Sequence, residues 1–219
     1  GGFIVLPSYF GIDAELRQTL KTISEEKVPV AFVGESGDQG LADNITYDSR
    51  SSANQAVDYL ISLGHERIGY IGYGSASGVT DTRLIGYFES HRKHNLEPAL
   101  HHIEEVDITP EAAYGAMDRL FNKPNPPTAI LAINDVVALG ILDYCADHGL
   151  SIPADLSLIT YDYQTLTRSV TSNITSIVIS GTEAGETLAN LIIQRQQNTS
   201  APPQHVHIES RLEIRASTA

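Results

Sequence analysis

Cysteine is almost missing from this chain: Cys145 stands alone among 219 residues. A lone thiol excludes an internal disulfide, leaves no second sulfur for a thiolate metal site, and fits a reducing compartment. Its setting, Leu142-Asp143-Tyr144-Cys145-Ala146-Asp147-His148-Gly149, reads as the end of a helix, so a buried structural thiol is expected. Long apolar runs are missing too, and nothing approaches the ~20 residues that a membrane-spanning helix needs. The opening residues, Gly1 to Ser8, read as a strand entering a loop rather than a signal peptide. So abrupt a start is expected of a fragment whose natural beginning lies upstream. Basic residues are scarce, 14 Lys and Arg against 27 Asp and Glu for a net charge of -13. Such a surface repels phosphate backbones, so any grip on nucleic acid must come from another segment.

What is present is a regular alternation. β-rich runs at 3–6, 28–33, 45–47, 68–71, 128–133, 156–160 and 174–179 exchange with helical patterns at 13–24, 51–63, 82–94, 109–121, 136–148 and 184–194. Residues 205–215 close the chain in extended, alternating segments. Gly64 and Gly149 stand where helices need a left-handed cap, and Thr109-Pro110-Glu111 has the form of a helix start. Strand–helix alternation on this scale means α/β architecture, parallel sheets flanked by helices. Two sheets are expected rather than one, with the stretch before Ile174 and the Pro202-Pro203 pair read as crossings between lobes.

Several motifs carry chemistry on their face. The Gly72 to Gly78 loop follows a strand but lacks both the dinucleotide spacing and the Gly-Lys-Ser/Thr of a phosphate loop, so a structural or hinge loop is expected. It is not a hydrolase elbow either, because Ala76 stands where a nucleophile would. Arg83 opens a helix, a position that the helix dipole disfavours unless an acidic side chain or an oxygen-rich ligand lies opposite. Asn134 and Asp135 stand at a strand-to-helix junction, where either serves as an N-cap. Asp162 ends a strand as a turn residue or as an acceptor for ligand hydroxyls. The histidines at 91 and 94, 101 and 102, and 205 and 207 match no zinc signature and read as solvated surface groups. No metal, no cofactor and no nucleophile–base pair is expected, so enzymatic activity is not.

Taken in order, five pieces resemble one family. They are Leu63-Gly64-His65-Glu66-Arg67-Ile68; Arg83-Leu84-Ile85-Gly86-Tyr87; Pro127 to Ile130 leading to Asn134-Asp135-Val136-Val137-Ala138-Leu139-Gly140; Ile152 to Asp162; and Glu213-Ile214-Arg215-Ala216-Ser217-Thr218. This order is similar to the effector-binding domain of LacI/GalR-type transcriptional regulators, whose fold is that of periplasmic sugar-binding proteins. The resemblance implies two lobes joined by three crossings, a ligand between them, and an N-lobe lacking its first strand–helix units. It places residues 1–72 and 180–200 in the N-terminal lobe, and 73–179 and 201–219 in the C-terminal lobe. Carried over by position, Arg83, Asn134 and Asp162 are ligand-binding, with Asp48 at the N-lobe rim. The forked guanidinium donors and carboxylate acceptors suit a hydroxyl-rich sugar or nucleoside.

The chain also departs from that pattern. Ile108 stands where an aromatic ring often stacks on the ligand, Ile179 where a glutamine is common, Thr160 where a glycine is, and Tyr163 where a second aspartate is. Tyr163 is then expected to supply replacement aromatic surface, and the ligand's identity stays open. The resemblance further implies a cytoplasmic homodimer, touching DNA only through a helix-turn-helix headpiece absent from this sequence. The ligand would shift an open–closed equilibrium through unequal affinity for its two states. The alternative is the sugar-binding protein of an ABC transporter, which shares the fold.

Overall fold

Strand β4 (Ile68–Tyr73) organises the larger part of the molecule. In the computed structural model, which describes residues 1–6, 14–33, 40, 42–73, 82–162 and 173–219, the chain divides into two compact units. Unit 1 comprises Gly1–Asp48 and Ser180–Glu209; unit 2 comprises Ser49–Ile179 and Ser210–Ala219.

Unit 1 contains β1 (Phe3–Val5), β2 (Val30–Val33), β3 (Asp43–Tyr47) and β9 (His205–Ile208), all parallel in the order β1-β2-β3-β9. Helix α1 (Ala14–Glu25) places Leu20 against Val30, Phe32 and Ala42. Helix α6 (Gly181–Gln197) packs on the same strands with Ala184, Leu188 and Leu191 buried.

Unit 2 is a six-stranded sheet in the order β10-β8-β7-β6-β4-β5. Its other strands are β5 (Ile103–Val106), β6 (Ala129–Ala132), β7 (Ser157–Asp162), β8 (Thr175–Ile179) and β10 (Ser210–Glu213). All pairings are parallel except β10 with β8. Strand residues alternate between two apolar faces, as the two-residue period requires. Ile68, Tyr70, Leu131, Ile159 and Tyr161 meet α2 (Ser49–Ser62) and α3 (Thr82–Lys93) on one face. Ile71, Ile130, Ala132 and Leu158 meet α4 (Pro110–Phe121) and α5 (Asp135–Asp147) on the other.

Each helix pair touches at a glycine from the sequence motifs. A Cβ at Gly86 would lie 2.1 Å from the Arg50 carbonyl oxygen, and one at Gly140 would lie 2.0 Å from that of Pro110. Only hydrogen fits there, which is the physical content of Arg83-Leu84-Ile85-Gly86-Tyr87 and of the glycine ending the Asn134 motif.

Several expectations need correction. The first crossing was expected at 72/73 and the third at 200/201; the units divide at 48/49, 179/180 and 209/210. Helix α2 and β4 belong to unit 2 because α2 packs on α3 and β4 pairs with β5 and β6. Residues 201–208 stay in unit 1 because β9 pairs with β3. Strand β4 runs to Tyr73, so Gly72 is not in a loop, and residues 74–81 lie outside the described residues. Strand β5 was not anticipated: Glu104 and Glu105 interrupt its apolar pattern, yet Glu104 is 9% exposed. Arg119 Nε at 2.7 Å and Lys123 Nζ at 2.8 Å neutralise it and hold its carboxyl below the usual range against the opposing effect of burial.

Candidate functional site

In unit 2, β4 lies between β6 and β5, so the connection through α3 leaves the sheet in one direction and the next returns past it. Ligands of open α/β sheets gather outside the carboxyl ends of the strands at such a reversal. Arg83 follows β4 and Asn134 follows β6, on either side of the switch point. Ile108 follows β5, and Asp162 is the last residue of β7. Four of the sequence-derived residues therefore share the carboxyl edge of one sheet. Asp48 is exposed and follows β3 in unit 1, and Tyr163 lies outside the described residues.

Arg83 occupies the first turn of α3, where the helix dipole opposes its charge. It does so with its guanidinium carbon 4.4 Å from the centre of the Tyr161 ring. The ring's negative face attracts the guanidinium and offsets the dipole. Tyr161 is itself anchored, fully buried, with its hydroxyl donating to the Ser49 carbonyl at 3.2 Å. This platform is the residue that sequence reasoning missed. Its only trace was an aromatic residue beside Asp162 in the Tyr161-Asp162-Tyr163 run.

Asn134 caps α5, its Oδ1 accepting from Val137 N at 2.9 Å in extended backbone (φ -160, ψ 177). The cap uses only half of the amide. The Nδ2 is buried and makes no hydrogen bond among the described residues, in a side chain 2% exposed. A buried donor left unmade costs about 1–3 kcal/mol, so its position at a strand's carboxyl edge asks for an acceptor. Ile108 is half-buried against the apolar cluster of α4 and α5 and presents hydrocarbon where a ring was the familiar residue.

Cys145 is 3% exposed, and burial pushes its thiol up to about 11, which keeps it protonated and inert. Two histidines expected at the surface are buried. His91 and His102 are each 1% exposed, because each ring bonds a carbonyl oxygen, His91 Nδ1 to Tyr87 at 2.9 Å and His102 Nε2 to Asn125 at 3.0 Å. His94 instead bonds Asp58, at 3.0 Å. No group of three metal-ligating side chains occurs among the described residues, and no described helix is long and apolar enough to cross a membrane.

A mostly parallel sheet between two helical layers, with polar residues at its carboxyl edge, is the architecture of a ligand-binding α/β protein. The periplasmic-binding-protein-like domain family matches residues 57–218, and the chain belongs to that family. It is 31% identical over 211 residues to the HTH-type transcriptional repressor CytR of Escherichia coli (strain K12), covering 96% of this chain and 59% of that protein. It is 32% identical over 179 residues to the HTH-type transcriptional repressor PurR of Shigella sonnei (strain Ss046), covering 82% and 52%. The chain thus spans somewhat more than half the length of these curated relatives. Among solved structures, a complex of the transcriptional regulator CelR with cellobiose aligns at TM-score 0.82 and 25% identity, over 99% of this chain and 65% of that one. The relatives are transcriptional regulators by name.

Proposed function

We propose that this chain is the effector-binding module of a LacI-type transcriptional repressor. It takes a small polar ligand of the sugar or nucleoside class at the carboxyl edge of the six-stranded sheet. The observation that carries the reading is the half-used amide of Asn134, an acceptor satisfied by the helix and a donor left over. Arg83, drawn to the Tyr161 ring, would add a forked pair of donors, and Asp162 would accept from ligand hydroxyls. Ile108 and Tyr163 would supply apolar and aromatic surface. Ligand occupancy would then act on operator binding by a helix-turn-helix segment, in a cytoplasmic homodimer. The names of the relatives favour a regulator over a transport carrier, which shares the fold, and the cellobiose held by CelR favours a hydroxyl-rich ligand.

The test is calorimetry and thermal shift with pentoses, hexoses, disaccharides, nucleosides and free bases. At a hundredfold excess over Kd a ligand adds about 2.7 kcal/mol to stability, which a melting curve resolves. Asn134→Ser keeps a capping oxygen and removes the amide donor, and Arg83→Ala removes the fork. Each should weaken binding by roughly tenfold or more while the ligand-free protein stays folded. Ligand responses unchanged in both variants would place the binding site elsewhere.

A further inference from the structure

The amino-terminal edge of the same sheet, opposite the edge just described, carries a concavity. Loops entering β4 (66–67), β5 (96–102) and β6 (123–125) meet there, and these three strands are neighbours. Together they enclose a bowl of about 790 Å³, within the size range of small-molecule sites. Its walls are tied in place. Arg67 Nε donates to the Pro126 carbonyl at 2.9 Å, Lys123 Nζ to the His101 carbonyl at 2.7 Å, and His102 N to that of Ala99 at 2.7 Å.

His102 lines the bowl and supplies its specific chemistry. Its Nε2 lies 3.0 Å from the Asn125 carbonyl oxygen, and a carbonyl only accepts, so Nε2 holds the proton. Burial, reinforced by the nearby charges of His101, Lys123 and Arg67, lowers the ring's pKa and keeps it neutral. The Nδ1 lone pair is then an acceptor. It is buried and makes no hydrogen bond among the described residues, although nearly every buried polar atom in a folded protein does.

The rest of the lining narrows what would donate to it. Glu66 and Glu97 balance Arg67 and Lys123, so the wall selects no net charge. Leu96, Ala99 and Pro124 give hydrocarbon, and the His101 and His102 rings, 4.3 Å apart and edge-on, give aromatic surface. We propose that this bowl is a second ligand site, for an uncharged aromatic or heteroaromatic molecule that presents one N–H or O–H donor to His102 Nδ1.

Indole and phenol are suitable probes, with 1-methylindole and anisole as partners of similar shape that lack the donor. Titration into 15N-labelled protein, followed through the imidazole nitrogens, should give a saturable shift at His102 Nδ1 for indole and phenol. The methylated probes should bind at least about tenfold more weakly, the loss expected when a buried acceptor finds no partner. Ala99→Trp places a bulky ring in the bowl and should weaken binding of all four, and His102→Phe should abolish the preference for a donor. Equal affinity for indole and 1-methylindole, no shift at His102, or undiminished binding to Ala99→Trp would each overturn the assignment.

Discussion

Units 1 and 2 both build parallel sheets with helices packed on them, yet they place their charges differently. In unit 2 three ion pairs leave the basic partner more than half exposed, Arg50 with Glu89, Lys93 with Asp58 and Arg119 with the buried Glu104, while Lys123 and Arg215 are covered further in theirs. Its interior is apolar on both faces, and its helices approach until backbone meets backbone at Gly86 and Gly140. In unit 1 one ion pair goes inside with both partners. Asp43, at the start of a central strand, is fully buried beneath Arg195, whose side chain is 12% exposed. The pair is bidentate, Nε at 2.9 Å and Nη2 at 2.5 Å, and Asp43 also accepts from Gln204 N at 2.8 Å. Arg195 reaches the carbonyls of Ala201 and Pro202 as well, so one ion pair joins α6, β3 and the segment entering β9. Close packing specifies unit 2, whereas in unit 1 a buried hydrogen-bonded charge fixes which segments meet.

The largest expected effect breaks unit 2. Gly140→Val would drive its side chain into the Pro110 backbone, which cannot move without carrying α4 with it. A loss upward of about 4 kcal/mol is expected, beyond ordinary overpacking because the obstacle is main chain. Gly86→Ala should act in the same way at the Arg50 carbonyl. Denaturant unfolding measures both. A change below about 1 kcal/mol, the range of ordinary point substitutions, would show that close approach is not what holds this unit.

The next effect breaks unit 1. Asp43→Ala leaves the Arg195 guanidinium with two carbonyls and no counter-charge, and breaking one side of a buried pair costs about 3–5 kcal/mol. Removing both partners as Asp43→Leu with Arg195→Met should recover most of that, because the larger part of the loss is an uncompensated charge. Hydrogen exchange should show protection lost from β3, β9 and α6 in the single variant before it is lost from unit 2. Equal losses in the single and double variants would remove the ion pair as the cause.

These contrasts also mark what could be read from the chain. The layered α/β plan was legible because strands and helices alternate with clean periods, and the glycine motifs were visible before their reason was. The assignment of α2 was not. Its sequence fits any amphipathic helix, and it is committed to unit 2 by the close contact with α3 at Gly86 and by packing on that unit's sheet. Strand β5 escaped because Glu104 is a buried carboxylate, polar in sequence and neutralised only by residues that arrive from α4 and beyond. At the candidate site, Arg83 and Asn134 stand out because strand-to-helix junctions are recognisable. Tyr161 does not, since its role depends on which face of β7 looks toward α3. His91 and His102 were read as solvated for the same reason: burial of a histidine is decided by the carbonyl that it finds.

The smallest effect sharpens the comparison by pH. His65, His91 and His102 all belong to unit 2, and burial lowers the pKa of each below the ordinary histidine value of 6.5. A group depressed in the folded state contributes fully above its unfolded pKa; below it the unfolded chain takes up protons that the folded chain refuses. Unit 2 should therefore lose stability steadily as pH falls from about 6.5 toward 5. The carboxylates Asp58 and Glu104 have lowered pKa values, so their contribution is lost only at more acid pH, below about 4, and does not account for that slope. His91→Phe keeps a ring against Tyr87, whose centre lies 4.3 Å from that of His91, and removes the titrating nitrogen. Its unfolding free energy should vary less between pH 7 and 5 than that of the natural chain, even if its stability at pH 7 is lower. An unaltered slope in His91→Phe, and also in His102→Phe, would show that the apolar interior of unit 2 does not discriminate against charge in the way its packing requires.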